Sequence, residues 1–209
     1  MLKYNHIAIE GNIGAGKTTL SNFLADKFNG DLLLEEFEEN EFLKDFYDDN
    51  SYALHAEVQF VLDRSKQLFQ FHSQPHNLVF SDYYPLKSLI FSKMNLSPKE
   101  FDLINELIDS LYNKVPKPDV LLFLNRPLDE LQKNIISRGR LYEKEISPDY
   151  LFTLSKAYEN FLQRIDDIPI LYINANEINL EEPNWLEQSF RELLSCHHSK
   201  GIKRINLMK

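Results

Sequence analysis

One stretch constrains this chain more than any other: Gly11-Asn12-Ile13-Gly14-Ala15-Gly16-Lys17-Thr18. Its spacing is G-x-x-x-x-G-K-[ST], that of a phosphate-binding loop. The apolar run His6-Ile7-Ala8-Ile9 precedes it, and a helical pattern, Thr19-Leu20-Ser21-Asn22-Phe23-Leu24-Ala25, follows. Strand, loop and helix in that order turn a motif match into a site. The glycines let the backbone bend until successive N–H groups point at phosphate oxygens. The helix opening at Lys17 adds its positive end and its unpaired N–H groups. Lys17 is placed to reach the β- and γ-phosphates, the Thr18 hydroxyl to ligate Mg²⁺, and Thr19 continues the phosphate-binding turn. The loop implies a nucleoside triphosphate; it does not identify the phosphate acceptor.

Apolar runs at 6–10, 31–35, 77–81, 120–125 and 169–174 read as strands. Leu32-Leu33-Leu34 and Val120-Leu121-Leu122-Phe123-Leu124 are apolar without alternation, the pattern of strands covered on both faces. Helical periodicity fills 52–71, 98–112, 128–137, 148–164 and 185–194, with Pro98, Pro148 and Pro183 near helix starts, where a missing N–H costs little. Alternating strands and helices predict a three-layer α/β fold with a five-stranded parallel sheet and helices on both faces. No repeat, low-complexity segment or linker divides the 209 residues, so a single domain over 1–209 is expected.

A net charge of −9 argues against a nucleic-acid partner. It does not argue against a small anion, since a basic pocket can sit on an acidic protein. No apolar run reaches membrane-spanning length. Cys196 is the one cysteine, which suits a reducing compartment, and the chain enters a strand without a signal peptide; a cytoplasmic protein is expected. The basic tail around 199–209 reads as a solvated C-terminus.

In sheets of this kind ligands bind beyond the carboxyl ends of the strands. The second strand ends in Glu35-Glu36-Phe37-Glu38-Glu39, the third in Ser81-Asp82-Tyr83-Tyr84, the fourth in Asn125-Arg126-Pro127. A carboxylate beside a transferable phosphoryl group can accept a proton from the attacking hydroxyl or hold Mg²⁺. Glu35, closing a buried strand, suits the first role, and Asp82 suits the second, with capping of the next helix as its alternative. Arg138-Gly139-Arg140 offers guanidinium groups for charge developing on the phosphoryl oxygens and a glycine hinge for a lid, although arginines also answer the dipole at a helix C-terminus.

These residues resemble the deoxynucleoside kinase family over about 6–176. The phosphate loop matches the family's version down to its Asn-Ile pair. Glu35 followed by Glu38-Glu39-Asn40 is similar to the family's catalytic glutamate segment. Arg138-Gly139-Arg140-Leu141-Tyr142-Glu143-Lys144-Glu145-Ile146, continued by Tyr150-Leu151 and Tyr158-Glu159, looks like its lid, about 138–147. Asn174-Ala175-Asn176 resembles the segment near the adenine of ATP. The resemblance implies Glu35 as base toward the nucleoside 5′-hydroxyl, with Lys17, Arg138 and Arg140 on the transferring phosphate. It implies Tyr47 and Glu143 on the sugar 3′-hydroxyl, Arg64 near the base, and Asp82 at the acidic position of the family's Glu/Asp-Arg-Ser motif. It also implies ATP as phosphate donor with Mg²⁺, and a homodimer formed through helices.

The chain departs from that pattern in two places. Tyr83 stands where the family has arginine and cannot supply its charge; either Lys87, on the following helix, replaces it or substrate placement differs. Glu57, seven residues before Arg64, stands where many members carry a base-reading glutamine. An ionised glutamate only accepts, which favours an amino-bearing base (adenine, guanine or cytosine) unless Arg64 or Lys87 ties it up. Phe60, Phe69, Phe80 and Phe91 are candidates to stack on the base. Two other readings stand beside this one. The first is a thymidylate kinase-like enzyme acting on monophosphates, whose Asp-Arg-Tyr segment Asp82-Tyr83-Tyr84 loosely resembles. The second is a nucleotide-binding module without catalysis.

Overall fold

The strands assemble in the order β2-β3-β1-β4-β5-β6, every neighbouring pair parallel. They are β1 (His6–Gly11), β2 (Asp31–Leu33), β3 (Val79–Ser81), β4 (Val120–Asn125), β5 (Pro169–Asn174) and β6 (Gly201–Ile205). The helices are α1 (Lys17–Phe28), α2 (Leu43–Asp49), α3 (Ala53–His72), α4 (Ser88–Asn95), α5 (Pro98–Tyr112), α6 (Leu128–Arg138), α7 (Pro148–Leu162) and α8 (Pro183–Ser195). This computed structural model describes residues 1–36, 40–49, 51–140, 143 and 146–207, without the side chains of 47–49. Glu38, Glu39, Leu141, Tyr142, Lys144, Glu145 and the side chain of Tyr47 therefore lie outside the described residues.

Period-two alternation sends successive residues of a strand to opposite faces. Ile7, Ile9, Leu122 and Leu124 pack on one face with Leu20 and Leu24 of α1, Leu131 of α6 and Phe190 of α8. Ala8, Leu121, Phe123 and Ile170 pack on the other with Ile90 of α4 and Leu154, Tyr158 and Leu162 of α7. A further cluster joins Leu33 and Val79 to Val61 and Leu68 of α3 and Ile104 and Ile108 of α5. These layers explain why β1 and β4 are apolar along their length. The helix starts follow local chemistry. Pro98, Pro148 and Pro183 each open a helix, and Ser97 and Glu100 form a reciprocal capping box at α5.

The sheet has six strands, not five. The sixth comes from the tail expected to be solvated: Gly201–Ile205 pairs in parallel with β5 from Pro169↔Gly201 to Ile173↔Ile205. Its side chains remain largely exposed, as at a sheet edge, where Lys203 and Arg204 discourage pairing with another chain. Arg204 covers the Tyr172 ring at 4.8 Å. The second strand is also shorter than expected. The Glu35 N–H donates to Asp82 Oδ1 at 2.7 Å, so the ladder ends at Leu33 and the chain turns onto a side chain instead.

β1 is central, with β3 and β2 on one side and β4, β5 and β6 on the other. Its carboxyl end therefore lies where the winding direction reverses, the usual position of a crevice. There the loop needs positive φ at Gly14 (81°) and Gly16 (95°). A Cβ on Gly14 would lie 2.6 Å from the Leu131 carbonyl oxygen, whereas one on Gly16 would meet nothing within 4 Å. Gly14→Ala is expected to cost about 2–3 kcal/mol and Gly16→Ala about 1 kcal/mol, read by urea unfolding. Equal costs would show that helix α6 does not fix the loop.

Candidate active site

The phosphate loop forms one wall of a cavity of about 700 Å³ that reaches α3, α4 and the lid segment. Residues Ile13 to Leu20 line it. Gly11 and Asn12 lie behind that wall. The Asn12 side chain donates to Leu151 O at 2.8 Å and Ser155 Oγ at 2.7 Å, which ties the loop to α7 and leaves only its main chain for phosphate. Lys17 Nζ donates to Gly11 O at 2.8 Å and Asn12 O at 3.1 Å and lies 4.0 Å from the buried Glu10. Burial holds the Lys17 ammonium below its ordinary pKa, and Lys87 pushes it the same way. Phosphate oxygens would supply the charge that this ammonium lacks.

Asp82, just past β3, joins two strand ends to the loop. Its Oδ1 accepts from the Glu35 N–H, and its Oδ2 accepts from Thr18 Oγ1 at 2.5 Å. Burial raises its pKa, partly offset by those hydrogen bonds. It caps no helix; the next turn, a 3₁₀ segment at Pro85–Lys87, starts after Tyr84. Thr18 and Asp82 thus place a hydroxyl and a carboxylate side by side. These are hard oxygen donors of the kind Mg²⁺ takes when phosphates and water complete its shell. No cluster of three or more His, Cys, Asp or Glu side chains suited to a metal occurs among the described residues.

Glu35 is held from two sides. Arg64 on α3 donates to Oε1 through Nε and a terminal nitrogen, and Lys87 Nζ donates to Oε2 at 2.8 Å. Burial pushes the Glu35 carboxyl up, yet Arg64 and Lys87 outweigh it and hold the group well below the ordinary carboxylate range. Arg64 also donates to Ser88 Oγ and lies over the Phe60 ring at 4.6 Å. Both cations are thereby engaged by Glu35.

Tyr83 takes no part in this. Its ring is fully buried in the α3/α5 cluster, and its hydroxyl donates to Gln67 Oε1 at 2.9 Å, while Gln67 Nε2 donates to Leu34 O. The 3₁₀ turn brings Lys87 back to the end of β2, where its ammonium meets Glu35. Glu57 is not tied to Arg64 or Lys87; Ser92 Oγ donates to its Oε2 at 3.3 Å, and the residue lines the cavity. Burial pushes its carboxyl up to about 7, against the pull of Arg64, Ser92 and Lys87. Burial therefore works against the ionised form of Glu57 on which the sequence expectation rests.

In the lid segment, Arg140 donates to Glu143 Oε1 at 2.9 Å and Arg138 lies 3.6 Å from it. Glu143 Oε2 is buried with no hydrogen-bond partner among the described residues. Gly139, at φ 75°, caps α6 in the left-handed conformation. Of the four phenylalanines, Phe60 and Phe91 line the cavity; Phe80 is fully buried in the core and Phe69 is exposed at the surface. Sequence reasoning assigned no role to Arg126, which bridges the loop and the turn at Ala175–Glu177 through Ala15 O (3.4 Å), Ala175 O (2.9 Å) and Asn176 Oδ1 (3.3 Å). Its position immediately after β4 was the available signal. Ser92 was missed too, its clue being a place on the helix after Lys87.

The family model for deoxynucleoside kinase matches residues 7–195, and the chain belongs to that family. It is 35% identical over 168 residues to a deoxyguanosine kinase of Bacillus subtilis, covering 77% of this chain and 80% of that protein. It is 32% identical over 197 residues to a deoxyadenosine kinase of Dictyostelium discoideum, covering 91% of this chain and 79% of that one. A solved deoxyadenosine kinase from M. mycoides with bound dCTP superposes with a TM-score of 0.77 at 26% identity, covering 91% of this chain and 99% of that chain. The chain is thus a phosphotransferase that converts a nucleoside to its monophosphate, which sets aside the monophosphate-kinase and non-catalytic readings.

Tyr83→Phe is expected to lower stability by about 1–2 kcal/mol, because Gln67 loses its donor, while kcat/KM stays within about threefold. Lys87→Met is expected to cost at least tenfold in kcat/KM by leaving Glu35 half-compensated. Thermal unfolding and steady-state kinetics on the two variants check this. The reverse ranking in activity would remove the charge role from Lys87.

Proposed function

We propose that this chain transfers the γ-phosphate of ATP, with Mg²⁺, to the 5′-hydroxyl of a deoxynucleoside carrying an amino-bearing base. The observation that carries this reading is Glu35: a carboxylate kept ionised by Arg64 and Lys87, opening on the same cavity as the phosphate loop. A monophosphate acceptor would be repelled there, whereas a neutral primary alcohol needs such an acceptor. Glu35 accepts the 5′-hydroxyl hydrogen bond and takes the proton as the new O–P bond forms and the bridging O–P bond to the leaving ADP breaks. Its low basicity suits a loose transition state, in which the nucleophile loses its proton late.

Lys17 and the loop N–H groups hold the donor phosphates, and Arg138 and Arg140 neutralise charge on the transferred group. Thr18 and Asp82 would hold Mg²⁺, which when bound screens the phosphate charge. Glu143, whose Oε2 has no hydrogen-bond partner among the described residues, accepts from the sugar 3′-hydroxyl. Arg64 and Glu57 bound the base end, with Phe60 and Phe91 as stacking surfaces. Relatives named for deoxyguanosine and for deoxyadenosine both support an amino-bearing purine. The unit works as one domain and as a homodimer through α3 and α5, where Leu62, Phe69 and Leu103 are exposed. A cytoplasmic setting suits the lone, exposed Cys196, and among the described residues no helix is long and apolar enough to cross a membrane.

Glu35→Gln is expected to lower kcat by about 10²–10⁴ while ATP binding persists. A coupled assay over deoxynucleosides and monophosphates, with ATP affinity and thermal unfolding as controls for folding, reads it. A folded variant that retains near-wild-type turnover would overturn the role of Glu35. Sedimentation equilibrium is expected to give a dimer that Leu62→Glu with Leu103→Glu splits.

A further inference from the structure

Glu57, Phe60 and Arg64 recur at helical spacing on α3 and line one side of the cavity, and Phe91 lines it from α4. The Glu57 residue is 4% exposed. The groups acting on its carboxyl come from every element around it. Arg64 lies on its own helix, Lys87 on the 3₁₀ turn, Glu35 beyond β2, Ser92 on α4, Tyr112 on α5 and Tyr150 on α7. Arg64 and Lys87 spend their hydrogen bonds on Glu35 and Ser88, so neither fixes Glu57 in one ionisation state by direct pairing.

The two purines present different Watson–Crick edges, with the amino group on opposite sides of N1. Guanine shows adjacent donors, N1–H and the 2-amino group; adenine shows an acceptor, N1, next to the donor 6-amino group. A carboxylate has two acceptors and no donor, whereas a carboxylic acid has one of each. We propose that Glu57 selects between the purines by its proton: ionised, it accepts from N1–H and the 2-amino group of guanine; protonated, it donates to N1 and accepts from the 6-amino group of adenine. This rests on the deoxynucleoside kinase reading above and names the specificity-determining residue within it. Burial of this carboxyl supports the proposal, since it brings both forms within reach near neutrality. A buried polar edge that meets the wrong base leaves an unpaired donor or faces two lone pairs, and such a mismatch discriminates strongly.

The experiment is a competition between deoxyguanosine and deoxyadenosine across about pH 6 to about pH 8. A ratio of kcat/KM values cancels the titration of groups shared by both reactions, and neither base titrates near neutrality. The deoxyguanosine-to-deoxyadenosine ratio follows the ratio of ionised to protonated Glu57, so it is expected to rise by about a hundredfold over those two pH units for a single titrating group. Glu57→Gln, which donates and accepts at every pH, is expected to favour deoxyadenosine with a flat ratio. A flat ratio in the unaltered chain, or the same slope in Glu57→Gln, overturns the proposal while leaving the kinase reading in place. No turnover of any deoxynucleoside would overturn that reading itself.

A second measurement reads the proton without activity. A carboxyl raised in the folded state makes the protein lose stability as pH climbs from the ordinary carboxylate range to about 7. Glu57→Gln has no such loss, so its melting temperature is expected to gain on the unaltered chain at about pH 8 relative to about pH 5. An equal difference at both pH values overturns the proposal.

Discussion

The ion cluster of Glu35, Arg64 and Lys87 is the interaction on which the site depends. A carboxylate that is 13% exposed tolerates its charge only because a guanidinium and an ammonium grip opposite oxygens. Removal of either cation leaves a desolvated anion, and removal of the anion leaves two cations facing each other. The cluster also spans the molecule. Glu35 belongs to the end of β2, Arg64 to α3, and Lys87 to the turn after β3. The Glu35 carboxylate is therefore positioned by the same contacts that dock α3 on the sheet edge.

Asp82 couples this cluster to the phosphate loop. One oxygen takes the Glu35 amide, and the other takes the Thr18 hydroxyl. The Asp82 side chain thus registers Glu35 against the loop. Phosphoryl transfer gains most from positioning and little from covalent chemistry, so a rigid three-way link among β2, β3 and α1 is itself a catalytic asset. The truncation of β2 at Leu33 is the structural cost of that link, a ladder hydrogen bond exchanged for a side-chain one.

What could be read in the chain followed locality. Each requirement of the phosphate loop lies within a few residues, so Gly14, Gly16, Lys17 and Thr18 declared themselves. Glu35 and Asp82 were legible because residues after buried strands border the crevice. The sixth strand was not, because an edge strand rich in Lys and Arg carries no apolar pattern until β5 is there to pair with it. The contact of Lys87 with Glu35 needed the turn at Pro85–Lys87, whose geometry three residues of sequence do not reveal. Phe80 and Phe69 had the same standing as Phe60 and Phe91 in the sequence, and only packing separates core and surface from cavity. The ionisation of Glu57 was out of reach for the same reason, since burial and not residue type sets it.

The charge on the cavity wall resolves the tension between an acidic protein and an anionic ligand. Among the described residues, six cationic side chains and four carboxyl groups line the cavity, whereas the chain as a whole carries −9. Low-dielectric walls focus the local field, so the site attracts a triphosphate while the outer surface repels polyanions too large to enter. Within that field the carboxyl groups divide by their neighbours. Glu35 has two cations in contact and stays charged, whereas Glu57 lies deeper with a serine donor and holds its proton longer. Two glutamates of one cavity are thus pushed in opposite directions, and the placement of Arg64 and Lys87 makes the difference.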